Sequence, residues 1–251
     1  VSRHLASWRN SIDRSPLLEA VIELLYPTRC VLCEQGTSLL CAACAAELSY
    51  IDRRWACPRC GAPFGRQICT ECTERDSPRR FAFSEAFSVL EYNQVAKALV
   101  RVYKDGGERR LAVLISQIMA RALPLEWRLW ADALCWVPAD PVARRRRNFD
   151  HLRLIAEGLA ALLGLEPLDL LVKRGSLDQR GLTRGERQQN AQDAFSFKGG
   201  HGVAAKLKAR CPHLLLLDDV FTTGATMNAA TETLLAAGAS DVRTLTLARV
   251  W

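Results

Sequence analysis

The chain has 251 residues, 49% hydrophobic and 24% charged, with a formal charge of +7. That length suits one large domain or a medium domain with a small appendage, and the composition excludes a disordered, collagenous or fibrous protein. No apolar run approaches the ~20 residues of a membrane-spanning helix, and the opening VSRHLASWRNSIDRS has neither an apolar core nor a small-residue cleavage site. The expectation is a soluble, cytoplasmic protein with no integral membrane segment.

In chain order, residues 1–26 form a first segment, in which 16–26 (PLLEAVIELLY) repeat apolar residues at helical spacing behind Pro16. Residues 27–76 hold eight of the ten cysteines, all in CxxC pairs: Cys30/Cys33, Cys41/Cys44, Cys57/Cys60 and Cys69/Cys72. A CxxC turn points two sulfurs at one centre, so two turns supply the four thiolates of a tetrahedral structural zinc site. Four such pairs predict two structural zinc ions. A single redox pair would explain one CxxC, and disulfides would need an oxidising compartment. Spacing allows sequential or cross-brace pairing; sequential pairing is favoured because each short unit then closes its own knuckles. Cys135 and Cys211 read as buried small hydrophobes. Two zinc ions on eight thiolates would add roughly −4, leaving about +3, a balance compatible with anionic ligands that does not demand DNA.

The polar stretch 73–80 (TERDSPRR) reads as a linker, and 81–251 then alternates strands and helices. Strands are predicted over Ala86–Tyr92, Ala133–Val137, Leu168–Val172, Leu214–Leu217 and Val242–Ala248. Helices are predicted over Val95–Tyr103, Leu111–Leu123, His151–Leu163 (closed by Gly164) and Met227–Ala237. This order predicts an α/β fold with a mainly parallel sheet flanked by helices, whose ligands bind beyond the carboxyl ends of the strands. Residues 173–202, rich in Arg, Gln, Asn and Gly, interrupt the pattern and read as a lid carrying Arg180, Arg184, Arg187 and Asn190.

The most informative segment is LLLLDDVFTTGAT (214–226). Four leucines bring a strand to the sheet edge, where Asp218 and Asp219 appear. Thr222, Thr223, Gly224, Ala225 and Thr226 then turn into a helix. Small residues there let backbone N–H groups approach an anion, and the helix dipole adds to the attraction. The carboxylates would repel phosphate and instead suit sugar hydroxyls and a Mg²⁺ ion. Neither GxxxxGK[ST] nor GxGxxG is present.

This string resembles the phosphoribosyl pyrophosphate (PRPP) motif of type I phosphoribosyltransferases. With the cysteine-rich head, YKDGGERRLA (103–112), VPADPVARRRRNFDHLRLIA (137–156) and QRGLTRGERQQNAQDAF (179–195), the chain resembles the ComF/GntX family from Pro27 onward. The resemblance implies a phosphoribosyltransferase-like domain behind a double zinc ribbon. It also implies a role in DNA uptake (competence) or in the use of DNA as a nutrient. Asp218 and Asp219 would take the ribose hydroxyls and Mg²⁺, residues 222–226 the 5′-phosphate, and Ala139 and Asp140 would lie near the pyrophosphate. One departure is RRNFDH (146–151), where Asn148 and Asp150 replace a Gly and an Asn common among relatives.

Of the remaining candidates, Lys104 and Arg144 are placed at the pyrophosphate. The Arg144–Arg147 run otherwise reads as a solvated face or a nucleic-acid contact, and Lys104 equally as a surface residue. His4, His151, His201 and His213 lack metal spacing, and none is assigned a role; His151 reads as packing at a helix N-terminus. Two functions follow. One is a Mg²⁺-dependent phosphoribosyltransferase of open acceptor. The other is a PRPP-sensing module whose zinc head contacts single-stranded DNA, the uptake machinery or a protein partner.

Overall fold

The computed structural model describes residues 24–25, 27–36, 38–63, 65, 67–73, 81–174 and 194–251. The expected helix over 16–26 (Leu24 and Leu25 apart), the linker beyond Thr73, and the lid residues Arg180, Arg184, Arg187 and Asn190 lie outside them.

Helix α1 (Ala42–Ala46) and helix α2 (Thr70–Thr73) belong to the cysteine-rich head. Strand β1 (Glu85–Glu91) is followed by α3 (Gln94–Lys104), α4 (Leu111–Ala122) and α5 (Leu125–Trp130). Then come β2 (Ala133–Trp136), α6 (Pro141–Arg147), α7 (His151–Leu163), β3 (Glu166–Leu168), β4 (Leu171–Lys173) and β5 (Phe195–Phe197). The chain finishes with α8 (His201–Arg210), β6 (His213–Phe221), α9 (Ala225–Ala236) and β7 (Asp241–Arg249). One sheet runs β1-β7-β6-β2-β3, every neighbour parallel. The parallel sheet flanked by helices is the architecture expected.

Strand β6 lies at its centre, and the reason is local. Leu214 to Leu217 are all fully buried, and alternate strand residues face opposite sides. Both faces of β6 are therefore covered, as in the interior of a parallel sheet. Helices α4 and α7 pack together, with the Ser116 hydroxyl donating to the carbonyls of Ala112 (2.7 Å) and Ile155 (3.0 Å).

Several expectations need correction. Leu168–Val172 is two strands rather than one: β3 joins the main sheet, whereas β4 pairs antiparallel with β5. Asp169 interrupts the apolar run between them, and its carboxylate pairs with Lys198. Helix α6 was hidden because Val142 is the largest apolar residue in PVARRRR; Asp140 caps it by accepting from the Val142 and Ala143 N–H groups. Asn148 ends it at φ 57°, a left-handed conformation that Asn tolerates better than most residues. Asp150 in turn caps α7. Both departures in RRNFDH are thus compatible with the turn.

The head is built onto the sheet. The Ile51 N–H donates to the Val89 carbonyl and the Glu91 N–H to the Ser49 carbonyl, both at 2.9 Å, with Tyr50 bridging Leu90 antiparallel. Residues 49–51 thereby cover the outer edge of β1, which would otherwise offer unpaired backbone groups. Arg53 pairs with Glu85 and Glu126, and Arg53 and Arg243 each lie 5.3 Å from the Trp127 ring.

Gly61 packs directly against β1. It sits at φ +69°, and a Cβ there would meet the Ala86 carbonyl oxygen at 3.2 Å. Gly61→Ala is expected to cost about 1–2 kcal/mol, mainly from the left-handed backbone. Differential scanning calorimetry reads this as a lower melting temperature with both zinc ions retained.

Candidate functional site

The eight clustered cysteines fall into two sets, Cys30, Cys33, Cys41, Cys44 and Cys57, Cys60, Cys69, Cys72, with the sulfurs of each set within 4.8 Å of one another. The sequential pairing is the one adopted. The Cys33–Cys41 and Cys60–Cys69 sulfurs are 3.6 Å apart, close to the ~3.8 Å edge of a tetrahedron with 2.3 Å zinc–sulfur bonds. Backbone N–H groups of Cys41 and Cys69 donate to the sulfurs of Cys30 (3.4 Å) and Cys57 (3.3 Å), which favours thiolates. Soft sulfur donors at tetrahedral spacing fit structural zinc at both sites.

The two sites differ in their surroundings. Cys33 is exposed and Cys41 and Cys44 are half-buried, whereas all four cysteines of the second set are buried in the core shared with the sheet. Cys135 and Cys211 are buried elsewhere, and burial pushes both thiols up.

At the carboxyl end of β6, the strand continues past the leucines through Asp218 and Asp219 to Phe221. The pair does not present two equivalent carboxylates. One oxygen of Asp219 is 2.5 Å from the Lys104 ammonium and 2.9 Å from His151 Nε2. Lys104 comes from the last turn of α3 and His151 from the first residue of α7. A carboxylate only accepts, so His151 carries its proton on Nε2. Its Nδ1 is buried without a hydrogen-bond partner among the described residues. The Tyr103 hydroxyl donates to the His151 carbonyl at 2.5 Å, and burial, then the charges of Asp150 and Asp219, push its pKa up.

These contacts split the acids electrostatically. Burial works against ionisation of Asp219, but the His151 hydrogen bond and the Lys104 charge hold its pKa down to about 2. Burial and the Asp219 charge push Asp218 up to about 8, although its Oδ1 accepts from the Asp219 N–H at 2.8 Å. At neutral pH Asp219 is ionised and satisfied internally, and Asp218 keeps a proton until a cation displaces it.

The loop 222–226 follows directly. Thr222, Thr223, Ala225 and Thr226 are exposed, and Gly224 caps α9 at φ 80°. A Cβ on Gly224 would meet the Phe221 ring at 2.6 Å and the Phe81 ring at 2.8 Å, so only glycine fits. The segment after β2 runs alongside, with the Val137 N–H donating to the Leu217 carbonyl at 2.9 Å. Ala139 and Asp140 are half-buried there, and the Asp140 carboxylate is occupied capping α6. Lys104 joins the acidic pair. Arg144 does not: it is exposed on α6, while Arg147 is the arginine that turns inward, 3.3 Å from Asp105.

Sequence reasoning missed His151 and Arg249. The available signal for His151 was its place directly after an Asp N-cap, at the start of an amphipathic helix. Arg249, the last residue of β7, is 2% exposed, and nothing in its local sequence announces burial.

Fold and site together define a double zinc ribbon seated on a parallel α/β domain with an acidic pair and a small-residue loop at the sheet's carboxyl edge. The double zinc ribbon family matches residues 21–75. Competence protein ComFC of Streptococcus pneumoniae is 27% identical over 88% of this chain and 100% of its own. The DNA utilization protein YhgH of Salmonella typhi is 26% identical over 90% of this chain and 99% of its own. Competence protein F of Haemophilus influenzae is 24% identical over 88% and 96%. Their near end-to-end similarity bears out the resemblance to the ComF/GntX family. Glutamine PRPP amidotransferase from B. subtilis aligns with 56% of this chain and 26% of its own at 18% identity and TM-score 0.34, a likeness too slight to carry weight. No helix among the described residues is long and apolar enough to cross a membrane.

Elemental analysis is expected to find two zinc ions per chain, unchanged by Cys135→Ser or Cys211→Ser; one zinc, or iron, would refute the two-site assignment. The split acids predict opposite stability effects in the ligand-free protein. Asp219→Asn removes a charge-assisted contact and should destabilise by about 1.5–3 kcal/mol at neutral pH. The Asp219 contribution is present above about pH 4 and lost as pH falls through about 2. Asp218 acts in the reverse sense, because its raised pKa lowers stability progressively as pH climbs from about 4 to about 8. Asp218→Asn should therefore flatten that decline in urea-melt stability profiles.

Proposed function

We propose that this protein binds PRPP with Mg²⁺ at the carboxyl edge of its sheet, in the cytoplasm, in support of DNA uptake or the use of DNA as a nutrient. The observation that carries the reading is the placement of Asp218 near the carboxyl end of β6, four residues before a loop of small residues that opens a twelve-residue helix. Asp218 supplies hard oxygen donors not committed to another side chain among the described residues, which fit Mg²⁺ and sugar hydroxyls. Asp219, ion-paired with Lys104 and hydrogen-bonded to His151, fixes the strand beside it. The backbone N–H groups and hydroxyls of Thr222, Thr223, Gly224, Ala225 and Thr226 suit the 5′-phosphate, with the positive end of α9 behind them. Ala139 and Asp140, and Arg144 if its exposed side chain swings in, are placed on the pyrophosphate side.

In a phosphoribosyl transfer the bond from the anomeric carbon to pyrophosphate breaks as a nucleophile attacks, through an oxocarbenium-like state. Catalysis then consists of positioning and of stabilising the departing charge. Mg²⁺ would supply charge neutralisation on the leaving group; the chain supplies the sugar contacts and the phosphate anchor. Incubation with PRPP, Mg²⁺ and a panel of bases, nucleotides and single-stranded DNA separates transfer from sensing: pyrophosphate release with one acceptor marks an enzyme.

Calorimetric titration of Mg²⁺–PRPP tests the site itself. Asp218→Asn/Asp219→Asn should weaken binding by at least ~10-fold, the equivalent of one charge-assisted hydrogen bond. Affinity in the parent should rise with pH up to about 8, as Asp218 gives up its proton. Unchanged affinity in the double variant would overturn the proposal.

A further inference from the structure

Arg249 ends β7 beneath the loop, and its side chain lies among backbone groups. Its Nε donates to the Cys60 carbonyl at 3.1 Å. Its Nη1 donates to the carbonyls of Phe221 (3.3 Å), Thr222 (2.5 Å) and Val250 (2.6 Å). The guanidinium also stacks 4.4 Å from the centre of the Phe221 ring. No carboxylate among the described residues lies within ion-pair distance of it. A buried cation compensated by carbonyls alone depends on all of them, because each lost acceptor leaves part of the charge unsolvated.

One of those acceptors belongs to a zinc ligand. Cys60 lies in a tight knuckle, in which the Gly61 N–H donates to the Cys57 carbonyl (2.8 Å) and the Cys57 N–H to the Ala62 carbonyl (2.7 Å). Metal at the second site would fix the Cys60 sulfur and hence that carbonyl. On the other side, Arg249 draws the Phe221 and Thr222 carbonyls toward itself. In a trans peptide unit the C=O and the following N–H point in opposite directions, and no peptide here is cis. Holding those two carbonyls therefore turns the N–H groups of Thr222 and Thr223 away from Arg249, as an anion-binding loop requires.

We propose that Arg249 is a positioning residue that couples metal occupancy of the Cys57/Cys60/Cys69/Cys72 site to the conformation, and hence the anion affinity, of the 222–226 loop. Among the described residues, the Cys30/Cys33/Cys41/Cys44 site has no such link to the loop. The inference rests on the PRPP reading only for its affinity arm; the conformational arm stands apart from any ligand.

Hydrogen exchange on the ligand-free protein tests the conformational arm. Cys69→Ser, which disables the second site, should raise amide exchange in 221–226 at least fivefold, with α7 unchanged. Cys33→Ser, which disables the first, should leave 221–226 as in the parent. Arg249→Lys, with two zinc ions still bound, should raise exchange in the same loop, and adding Cys69→Ser to it should bring little further change. Equal loop exchange in the Cys69→Ser variant and the parent, or a rise shared by α7, overturns the coupling. In the affinity arm, saturating Mg²⁺–PRPP should slow chelator extraction of one zinc of the two in the parent and of neither in Arg249→Lys, since linkage is reciprocal. PRPP binding with both extraction rates unchanged overturns the coupling and leaves the function standing. A parent that fails to bind PRPP overturns the function, and the exchange result still decides the coupling.

Discussion

The site depends on one strand that is apolar for four residues and acidic for the next two. Leu214 to Leu217 are buried on both faces of the sheet, and that burial pins β6 between β7 and β2. At about 25 cal/mol per Å² of apolar surface removed from water, four buried leucines amply offset the cost of carrying Asp218 and Asp219 at the strand's end. The strand cannot slip by a residue without driving a carboxylate into the core and a leucine out of it. The carboxylates and the loop after them are therefore delivered to one place.

Two like charges on adjacent residues would repel, and the fold resolves this by treating them differently. Lys104 and His151 come from helices on either side of a 46-residue stretch and meet on the same oxygen of Asp219. Among the described residues, the Asp218 side chain has only the Asp219 N–H as a hydrogen-bond partner, and it holds its proton until something with positive charge arrives. The internal ion pair stabilises the architecture, and the unpaired acid stays available for a ligand. Asp219 thus belongs as much to the packing of α3 and α7 as to the site.

The cysteine-rich head is part of the same structure. Residues 49–51 cap the edge of β1, Gly61 lies against Ala86, and the second cysteine set is buried in the sheet domain's core. Its zinc site lies one side chain, Arg249, away from the 222–226 loop. The first set, with Cys33 exposed, is the more accessible of the two.

Features carried by spacing along the chain were legible in the sequence. CxxC pairs, the alternation of apolar strands and amphipathic helices, and the run LLLLDDVFTTGAT are local patterns whose chemistry does not depend on distant residues. They sufficed for two four-cysteine sites, a parallel sheet and the position of the acidic loop. Helix α6 escaped because an arginine run has no apolar stripe, and β3 and β4 merged because only Asp169 and Leu170 separate them. The partners of Asp219 and the burial of Arg249 could not be read this way. Lys104 lies 115 positions before the carboxylate it neutralises, and Arg249 lies 189 positions from the Cys60 carbonyl it holds. Such pairings arise only when the sheet order brings β7 beside β6 and the head beside β1, so tertiary packing alone decided which acid is committed and which is free.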